Sequence, residues 1–248
     1  MELPTSKRSP IVEDPKFLIL FGKQKSGKTT ILANLKDCLI LDFEQGTHFV
    51  EALTIEINNF DELAKVKQLL DTKMKETGEK PYKRIALDTA TTLEELLMPY
   101  AIKLYKETPM GKSFKGDNLR KLPNGAGYLY EREAYKKIID TFSKYCDTLI
   151  LAGHVSDKMV EKDGKEVWEM EIDLTGKLKR IIGAKADAIG YVYRQKNNTI
   201  VSFKGGEDAI AESRPRHLSG KDIVVAESEG EGEDMNIKFH WNKIFKNL

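Results

Sequence analysis

The sequence contains few of the residues that mark extracellular, metal-binding or membrane proteins. Only two cysteines occur in 248 residues, and each lies beside an apolar run, which favours reduced, buried thiols over a disulfide or a zinc site. No apolar run approaches the roughly eighteen residues of a membrane span, and nothing resembles a signal peptide. The net charge is +1, so any nucleic-acid binding must come from local basic patches. These absences predict a cytoplasmic protein.

What the chain does contain is an alternation of apolar runs and helical patterns. With 40% apolar residues, the chain is long enough for one substantial α/β domain. The pattern predicts strands at 16–21, 38–44, 83–88 and 148–153, separated by helices at 29–36, 59–76, 92–106 and 128–145. This alternation predicts a mainly parallel sheet flanked by helices, with ligands at the carboxyl ends of the strands.

The second half of the chain contains two hairpin patterns. One is centred on Asp163-Gly164 within 159–172, and the other joins 188–193 to 199–203. The second of these hairpins predicts antiparallel strands at one edge of the sheet. The composition divides the chain into a flexible N-terminal arm at 1–15, a core at 16–225, and an acidic linker with an aromatic C-terminal segment at 226–248.

A phosphate-binding loop follows the first predicted strand. The spacing Gly22-x-x-x-x-Gly27-Lys28-Thr29 is the P-loop pattern, in which glycines let backbone N–H groups surround an anion. Lys28 is expected to reach the β- and γ-phosphates, and the Thr29 hydroxyl to bind Mg²⁺. The sequence therefore predicts an ATP site formed by Gly22, Lys23, Gln24, Lys25, Ser26, Gly27, Lys28, Thr29 and Thr30.

A second signature lies at the end of the third predicted strand. Asp88 ends the run RIALD and is placed to bind the Mg²⁺ ion directly or through water. The next residue is Thr89, although many ATPases have a catalytic glutamate there to orient the attacking water. The candidate for that carboxylate is Glu44, at the tip of the second predicted strand.

Three motifs together resemble the RecA-like ATPases: LDFEQG, IALDTATTL and LILAGH. The compact layout and the segment AESRPRHLSGKDIVV resemble, more closely, the phage-type RecA-like NTP-binding proteins of single-strand annealing recombination. The resemblance covers about residues 16–225 and implies a RecA-like core, in the host cytoplasm if the protein is phage-encoded. It implies that Glu44 activates water and that His154 senses the γ-phosphate. RecA itself has glutamine at that place, so a histidine predicts pH-sensitive coupling.

Other P-loop classes lack their own signatures. A GTPase needs an Asn/Thr-Lys-x-Asp motif, and the nearest match begins with Ala184. The serine-glycine-glycine signature of transporter ATPases is not completed at Ser219-Gly220-Lys221. A small-molecule kinase remains an alternative. Such kinases use an arginine-rich lid, but the basic residues of the corresponding stretch here, 107–127, are lysines, with Arg120 as the one arginine.

A local basic patch lies between residues 103 and 121. Six basic residues against two acidic ones give it a net charge of +4, and amines among aromatic rings suit single-stranded DNA, whose phosphates pair with the amines and whose bases stack on the rings. RecA-like proteins carry their first DNA loop here, while a solvated connector is the other interpretation. The predicted contacts are Lys103, Lys106, Lys112, Phe114, Lys115, Arg120 and Lys121. The second such loop, 156–173, has more acidic than basic residues, which weakens the DNA interpretation. Its Trp168 is interpreted as packing within the hairpin, with base stacking as the alternative.

The resemblance also implies a homo-oligomer, a ring or filament of head-to-tail contacts, because RecA-like sites are completed by a cation from the next subunit. Lys204 is the candidate for that cation, with Arg194 and Arg180 as alternatives. The contacts between subunits would use the N-terminal arm or the aromatic segment of Phe239, Trp241 and Phe245, which could equally fold on its own core. The sequence thus predicts an ATPase coupled to single-stranded DNA. A nucleotide-dependent module whose partner is a protein, such as a single-strand binding protein, is the alternative.

Overall fold

The computed structural model describes residues 3, 5, 13–162, 165–205, 210–230 and 236–248. Its strands are β1 Phe17–Gly22, β2 Cys38–Asp42, β3 Thr54–Glu56, β4 Tyr82–Asp88, β5 Cys146–Lys162, β6 Lys165–Ile172, β7 Ala188–Gln195, β8 Asn198–Ser202, β9 Glu212–Ser213, β10 Asp222–Glu229 and β11 Asn236–Phe239. Its α-helices are α1 Lys28–Ala33, α2 Phe60–Thr77, α3 Ala90–Leu96, α4 Met98–Lys106, α5 Gly127–Phe142 and α6 Leu178–Lys185. Short 3-10 helices lie at Gly46–Phe49, Leu119–Lys121, Pro123–Gly125 and Trp241–Lys243.

One large sheet organises the described residues, with the strand order β11-β10-β8-β7-β1-β5-β4-β2-β3. From β7 to β3 all neighbours are parallel, whereas β8, β10 and β11 extend the other edge in antiparallel fashion. The structure therefore confirms the predicted fold class, a mainly parallel sheet flanked by helices with antiparallel edge strands. The parallel strands bring the ends of β1, β2, β4 and β5 to the same edge.

The core strands are buried because helices or the C-terminal segment cover both faces of the sheet. Every residue of β1 and of β2 is buried, as expected for continuous apolar runs in a parallel sheet. One face packs against α2, α3 and α5. The other packs against α1 and the C-terminal segment. These two layers hold the P-loop between a rigid strand and a packed helix.

Two predicted elements differ in the structure. The predicted helix at 92–106 is divided into α3 and α4, because Pro99 lies in the first turn of α4 and cannot continue the backbone hydrogen bonding of α3. The strand predicted to end at Gly153 continues to Lys162 and pairs with β6. That pairing confirms the predicted hairpin, although its turn, Asp163-Gly164, lies outside the described residues.

The C-terminal segment belongs to the core. β10 runs across the boundary predicted at residue 226, and β11 pairs with it. Trp241 and Phe245 are buried, and the Trp241 indole N–H donates to the carbonyl oxygen of Ile31 in α1 at 2.8 Å. Of the two roles considered for this segment, the structure therefore gives it packing on its own core. Among the described residues, no helix is both long and apolar enough to cross a bilayer.

A candidate nucleotide-binding site

The turn between β1 and α1 forms one wall of a cavity of about 470 Å³ at the carboxyl edge of the sheet. Residues 24–30 of the predicted P-loop line it. Gly22 and Lys23 lie behind the loop, and their carbonyl oxygens accept hydrogen bonds from the Lys28 amine, both at 3.0 Å. The remaining walls come from the end of β2 and the loop after it, the end of β4, the middle of β5 and the end of β7. The structure thus brings the P-loop, Asp88, Glu44 and His154 into one cavity.

Both fixed glycines of the loop are required by the backbone. A Cβ on Gly22 would lie 2.2 Å from the carbonyl oxygen of Val192, so no other residue fits. Gly27 has a φ of 94°, a left-handed conformation that side-chain-bearing residues rarely adopt. The sequence pattern therefore reflects a close contact with β7 at Gly22 and a left-handed turn at Gly27.

The cavity contains a buried lysine. Lys28 is 6% exposed, and burial lowers the pKa of its amine while the nearby carboxylates of Asp88 and Glu44 oppose that shift. A buried cation needs a compensating anion. The phosphates of a nucleotide would supply that anion.

Thr29 and Asp88 form the predicted metal position. The Thr29 hydroxyl donates to Asp88 Oδ2 at 2.7 Å, and burial raises the pKa of Asp88 to about 6, against the lowering effect of that hydrogen bond. The other oxygen, Oδ1, is buried and has no hydrogen-bond partner among the described residues. Mg²⁺ takes oxygen ligands and completes its shell with waters and phosphate oxygens. A hydroxyl beside a carboxylate with a free oxygen fits that ion.

The loop after β2 holds Glu44 in place. Asp42 is buried and accepts hydrogen bonds from the backbone N–H groups of Glu44, Gly46 and Thr47, and from the Thr47 hydroxyl. Burial raises the pKa of Asp42, but these hydrogen bonds outweigh it and the pKa is lowered. An ionised Asp42 therefore fixes the turn that carries Glu44.

Three side chains hold the carboxylate of Glu44. Its Oε1 accepts hydrogen bonds from the hydroxyls of Thr89 and Thr92, and its Oε2 lies 3.0 Å from His154 Nε2. Burial raises the pKa of Glu44, but these partners outweigh it and the pKa is lowered. The predicted catalytic pair, Glu44 and His154, is thus in direct contact and Glu44 is poised as an acceptor.

The sequence did not single out Thr89 and Thr92 as partners of Glu44. Both follow the Asp88 strand in the run DTATTL, where a threonine-rich helix start was a visible signal. Their target lies 45 and 48 residues away along the chain. The pairing therefore becomes visible only once β2 and β4 are known to be neighbours.

The predicted nucleic-acid residues divide into three groups: the lysines, Phe114 and Arg120. Lys103, Lys106, Lys112, Lys115 and Lys121 are exposed around the end of α4 and the following loop. Phe114 is half-buried and packs edge-on against Tyr105, with 5.5 Å between ring centroids. The ring is thus already engaged within the protein, whereas the lysine side chains reach solvent.

Arg120 differs from these lysines. Its guanidinium donates to Glu131 Oε2 at 2.8 Å, to Glu95 Oε1 at 2.7 Å and to Glu94 Oε1 at 3.4 Å. Glu94 and Glu131 are buried. Arg120 therefore neutralises carboxylates within the protein, which removes it from the residues that present a free charge to DNA.

The hairpin of β5 and β6 corrects the interpretation of Trp168. The ring is 59% exposed, and its cross-strand neighbour, Met159, is 50% exposed. Among the described strands β6 pairs only with β5, and the exposure of Trp168 shows that packing within the hairpin does not bury it. It is an exposed aromatic side chain, paired with the part of β5 that continues beyond His154.

The three candidate cations occupy different places. Lys204 follows β8, whose end points away from the P-loop, and pairs with Asp222 of the same chain. Arg180 lines a separate cavity beside Asp187. Arg194, on β7, lines the nucleotide cavity itself.

Comparisons with known proteins give one family match and several similar solved structures. A family model described as an AAA domain matches residues 14–222. The chain is similar to a solved RadB recombinase at 13% identity and a TM-score of 0.46, with 86% of this chain and 88% of that chain covered. It is also similar to a KaiC-like protein from the hyperthermophilic archaeon Pyrococcus horikoshii at 11% identity and a TM-score of 0.43, with 90% and 89% covered. A search of curated proteins found no match.

Proposed function

The chain belongs to the AAA domain family, and from this premise we propose that it hydrolyses ATP with Mg²⁺ and couples the nucleotide state to single-stranded DNA. Its core is that of a RecA-like P-loop ATPase. The observation that supports hydrolysis is the position of Glu44, which faces the P-loop cavity while Thr89, Thr92 and His154 hold its carboxylate.

In the proposed reaction, the carboxylate of Glu44 accepts a hydrogen bond from a water aligned with the γ-phosphate. A bond forms between the water oxygen and phosphorus, and the bond between phosphorus and the β,γ-bridging oxygen breaks. The products are ADP and inorganic phosphate, and the phosphate keeps the protons of the water. Lys28 turns from the loop carbonyls toward the phosphates and offsets their negative charge. Mg²⁺, held by Thr29 and Asp88, would neutralise charge on the β- and γ-phosphates.

His154 is proposed to sense the reaction. It lies beside Gly22 in the register of β1 and β5 and contacts Glu44. β5 continues from His154 into the hairpin that carries Trp168. Occupancy of the γ-phosphate position would therefore be transmitted along a single strand to the hairpin.

Helix α3 supplies a second connection between the cavity and the surface. Thr92 contacts Glu44, the Thr91 hydroxyl donates to the carbonyl oxygen of Asp173 after β6, and Glu94 accepts from the Thr175 backbone N–H. At its other end α3 contacts Arg120. The lysines around α4 and the exposed Trp168 are the surfaces that we propose for DNA, through phosphate pairing and base stacking respectively.

An oligomer and a role in recombination complete the proposal. Lys204 points away from its own P-loop, so it can serve a nucleotide only in a neighbouring subunit, after release from Asp222. Head-to-tail contacts of this kind form rings or filaments. The sequence resemblance supports phage-type single-strand annealing as the setting.

The test is ATP hydrolysis by the purified chain with and without Mg²⁺, each with and without single-stranded DNA at two salt concentrations. We expect turnover that needs Mg²⁺, rises with DNA and loses the DNA effect at high salt, while Lys28→Ala abolishes it. Turnover that ignores DNA but responds to a single-strand binding protein would favour the protein-interaction module. Phosphate transfer to a small acceptor instead of water would identify a kinase.

A further inference from the structure

Both signature glycines of the P-loop pack against the same hairpin, formed by β7 and β8. The Gly22 position abuts the carbonyl oxygen of Val192. A Cβ on Gly27 would lie 3.4 Å from the guanidinium of Arg194 and 3.4 Å from Thr199 Oγ1. Arg194 and Thr199 are paired across the hairpin. The hairpin therefore forms a second wall of the phosphate cradle, and its cation is Arg194.

The register explains how Arg194 reaches the loop. The pairing of β1 with β7 ends at Phe21 and Tyr191. β7 continues past that point, so Arg194 lies three residues, about 10 Å, further along the strand, at the level of the P-loop. β8 supports this extension as far as Gln195.

Arg194 has no competing partner in the part of the chain that the structure describes. Its guanidinium forms no ion pair or hydrogen bond with those residues, in contrast to the side chains of Arg120, Lys204 and Arg214, which are all paired with carboxylates. Its guanidinium lines the cavity in which Lys28 is the buried cation. An unpaired guanidinium beside an amide cradle is suited to bidentate contact with phosphate.

From this geometry we propose that Arg194 binds the α- and β-phosphates of the nucleotide held by its own subunit. The inference rests on the proposed ATP site. β5 and β7 flank β1 on opposite sides, so Arg194 approaches the loop from the side opposite His154 and Glu44. The amides around Gly27 are those that cradle the α- and β-phosphates in P-loops. Arg194 is therefore a binding residue shared by ATP and ADP, and it is not the cation supplied to a neighbour.

The test compares Arg194→Ala and Arg194→Lys with Lys196→Ala, which removes a positive charge from the turn of the same hairpin but does not line the cavity. Calorimetric titration with Mg-ADP and with a non-hydrolysable ATP analogue should show affinity reduced about tenfold or more for both in Arg194→Ala. Arg194→Lys should fall between, because lysine keeps the charge but loses the fork. Lys196→Ala should bind like the wild type.

Steady-state kinetics separates binding from catalysis. In Arg194→Ala the KM for ATP should rise while kcat stays within about twofold, because a contact shared by ATP and ADP is uniform binding. Unchanged affinity in a folded variant, checked by thermal unfolding, would overturn the inference. The inference would also be overturned if Arg194→Ala lowered only kcat and mixing its subunits with Lys28→Ala subunits restored turnover. That result would mean that Arg194 acts on the nucleotide of a neighbouring subunit. If the wild type bound neither nucleotide, the proposed ATP site itself would fail.

Discussion

Two groups of charged side chains lie at opposite ends of α3, and they use their charges differently. Near its start, the nucleotide cavity keeps polar atoms without partners: Asp88 Oδ1, Ser26 Oγ and His154 Nδ1 are buried and unpaired among the described residues. Near its end, Arg120 contacts three carboxylates, and of these groups only Glu131 keeps an oxygen, Oε1, buried without a partner among the described residues. The first group is arranged for a ligand, and the second is mostly neutralised within the protein.

The difference appears in the pKa directions. Burial raises the pKa of Glu131, and Arg120 offsets only part of that shift. At Glu44 the partners outweigh burial and the pKa falls. Glu44 therefore stays ionised and able to accept a hydrogen bond, whereas Glu131 depends on Arg120 for its charge. The sequence alone shows only that these residues are acidic or basic. It does not show which of them face a ligand and which are neutralised within the protein.

Of the substitutions that test this comparison between the two groups, the one at Glu44 is expected to have the largest effect on ATP hydrolysis. Glu44→Gln keeps the shape of the side chain but removes its negative charge, so ATP hydrolysis should fall at least about 100-fold while ATP binding is retained. The measurement pairs steady-state turnover with nucleotide titration.

Glu56→Gln provides the matched control for that change. Glu56 is a partly exposed carboxylate on β3 that pairs with His48, and its loss should leave turnover unchanged. Near-normal hydrolysis in Glu44→Gln would show that Glu44 does not activate the water. The hydrogen bonds that hold Glu44 would then have no catalytic role.

The next effect concerns stability. Arg120→Ala leaves the buried carboxylates of Glu94 and Glu131 without their cation and should lower the free energy of unfolding by about 3 kcal/mol. Denaturant titration measures this loss. Lys121→Ala is the control, because Lys121 and Asp117 are both largely exposed and such pairs contribute about 0–1 kcal/mol. Equal stability of the two variants would show that Arg120 is an ordinary surface charge.

The same pair of variants separates structure from DNA binding. If the exposed lysines carry DNA, Lys121→Ala should weaken single-strand binding in a stable protein. A stable Arg120→Ala that binds DNA less tightly would instead return Arg120 to the DNA-binding residues.

The parts of the fold that the sequence predicted are those determined locally. β1, β2 and β4 are apolar runs whose burial follows from their composition, and the turn of the P-loop follows from the left-handed backbone of Gly27. The fourth strand was predicted too short, because β5 becomes polar where it leaves the sheet and pairs only with β6.

The parts that the sequence could not predict depend on distant partners. Arg120 looks like a DNA contact until Glu94 and Glu95, 26 and 25 residues away, are placed beside it. Trp241 reaches α1 across 210 residues. β10 and β11 were obscured by acidic residues such as Glu227 and Glu229, which a strand near a sheet edge tolerates because one side faces water. In each case the role of the residue depends on packing against residues far away in the chain, which a local sequence pattern does not show.

The smallest effect should come from the residue that connects the two charged groups. Thr92 lies on α3 and donates to Glu44, so Thr92→Val removes one hydrogen bond, worth about 1 kcal/mol, without changing shape. We expect kcat to fall about fivefold with little change in KM, and Thr92→Ser to restore it, because serine keeps the hydroxyl. Thr91→Val is the control, since that hydroxyl donates to Asp173 and not to Glu44. If Thr91→Val lowered kcat as much as Thr92→Val, the effect would belong to α3 as a whole, and the position of Glu44 would not depend on its own hydrogen bond to that helix.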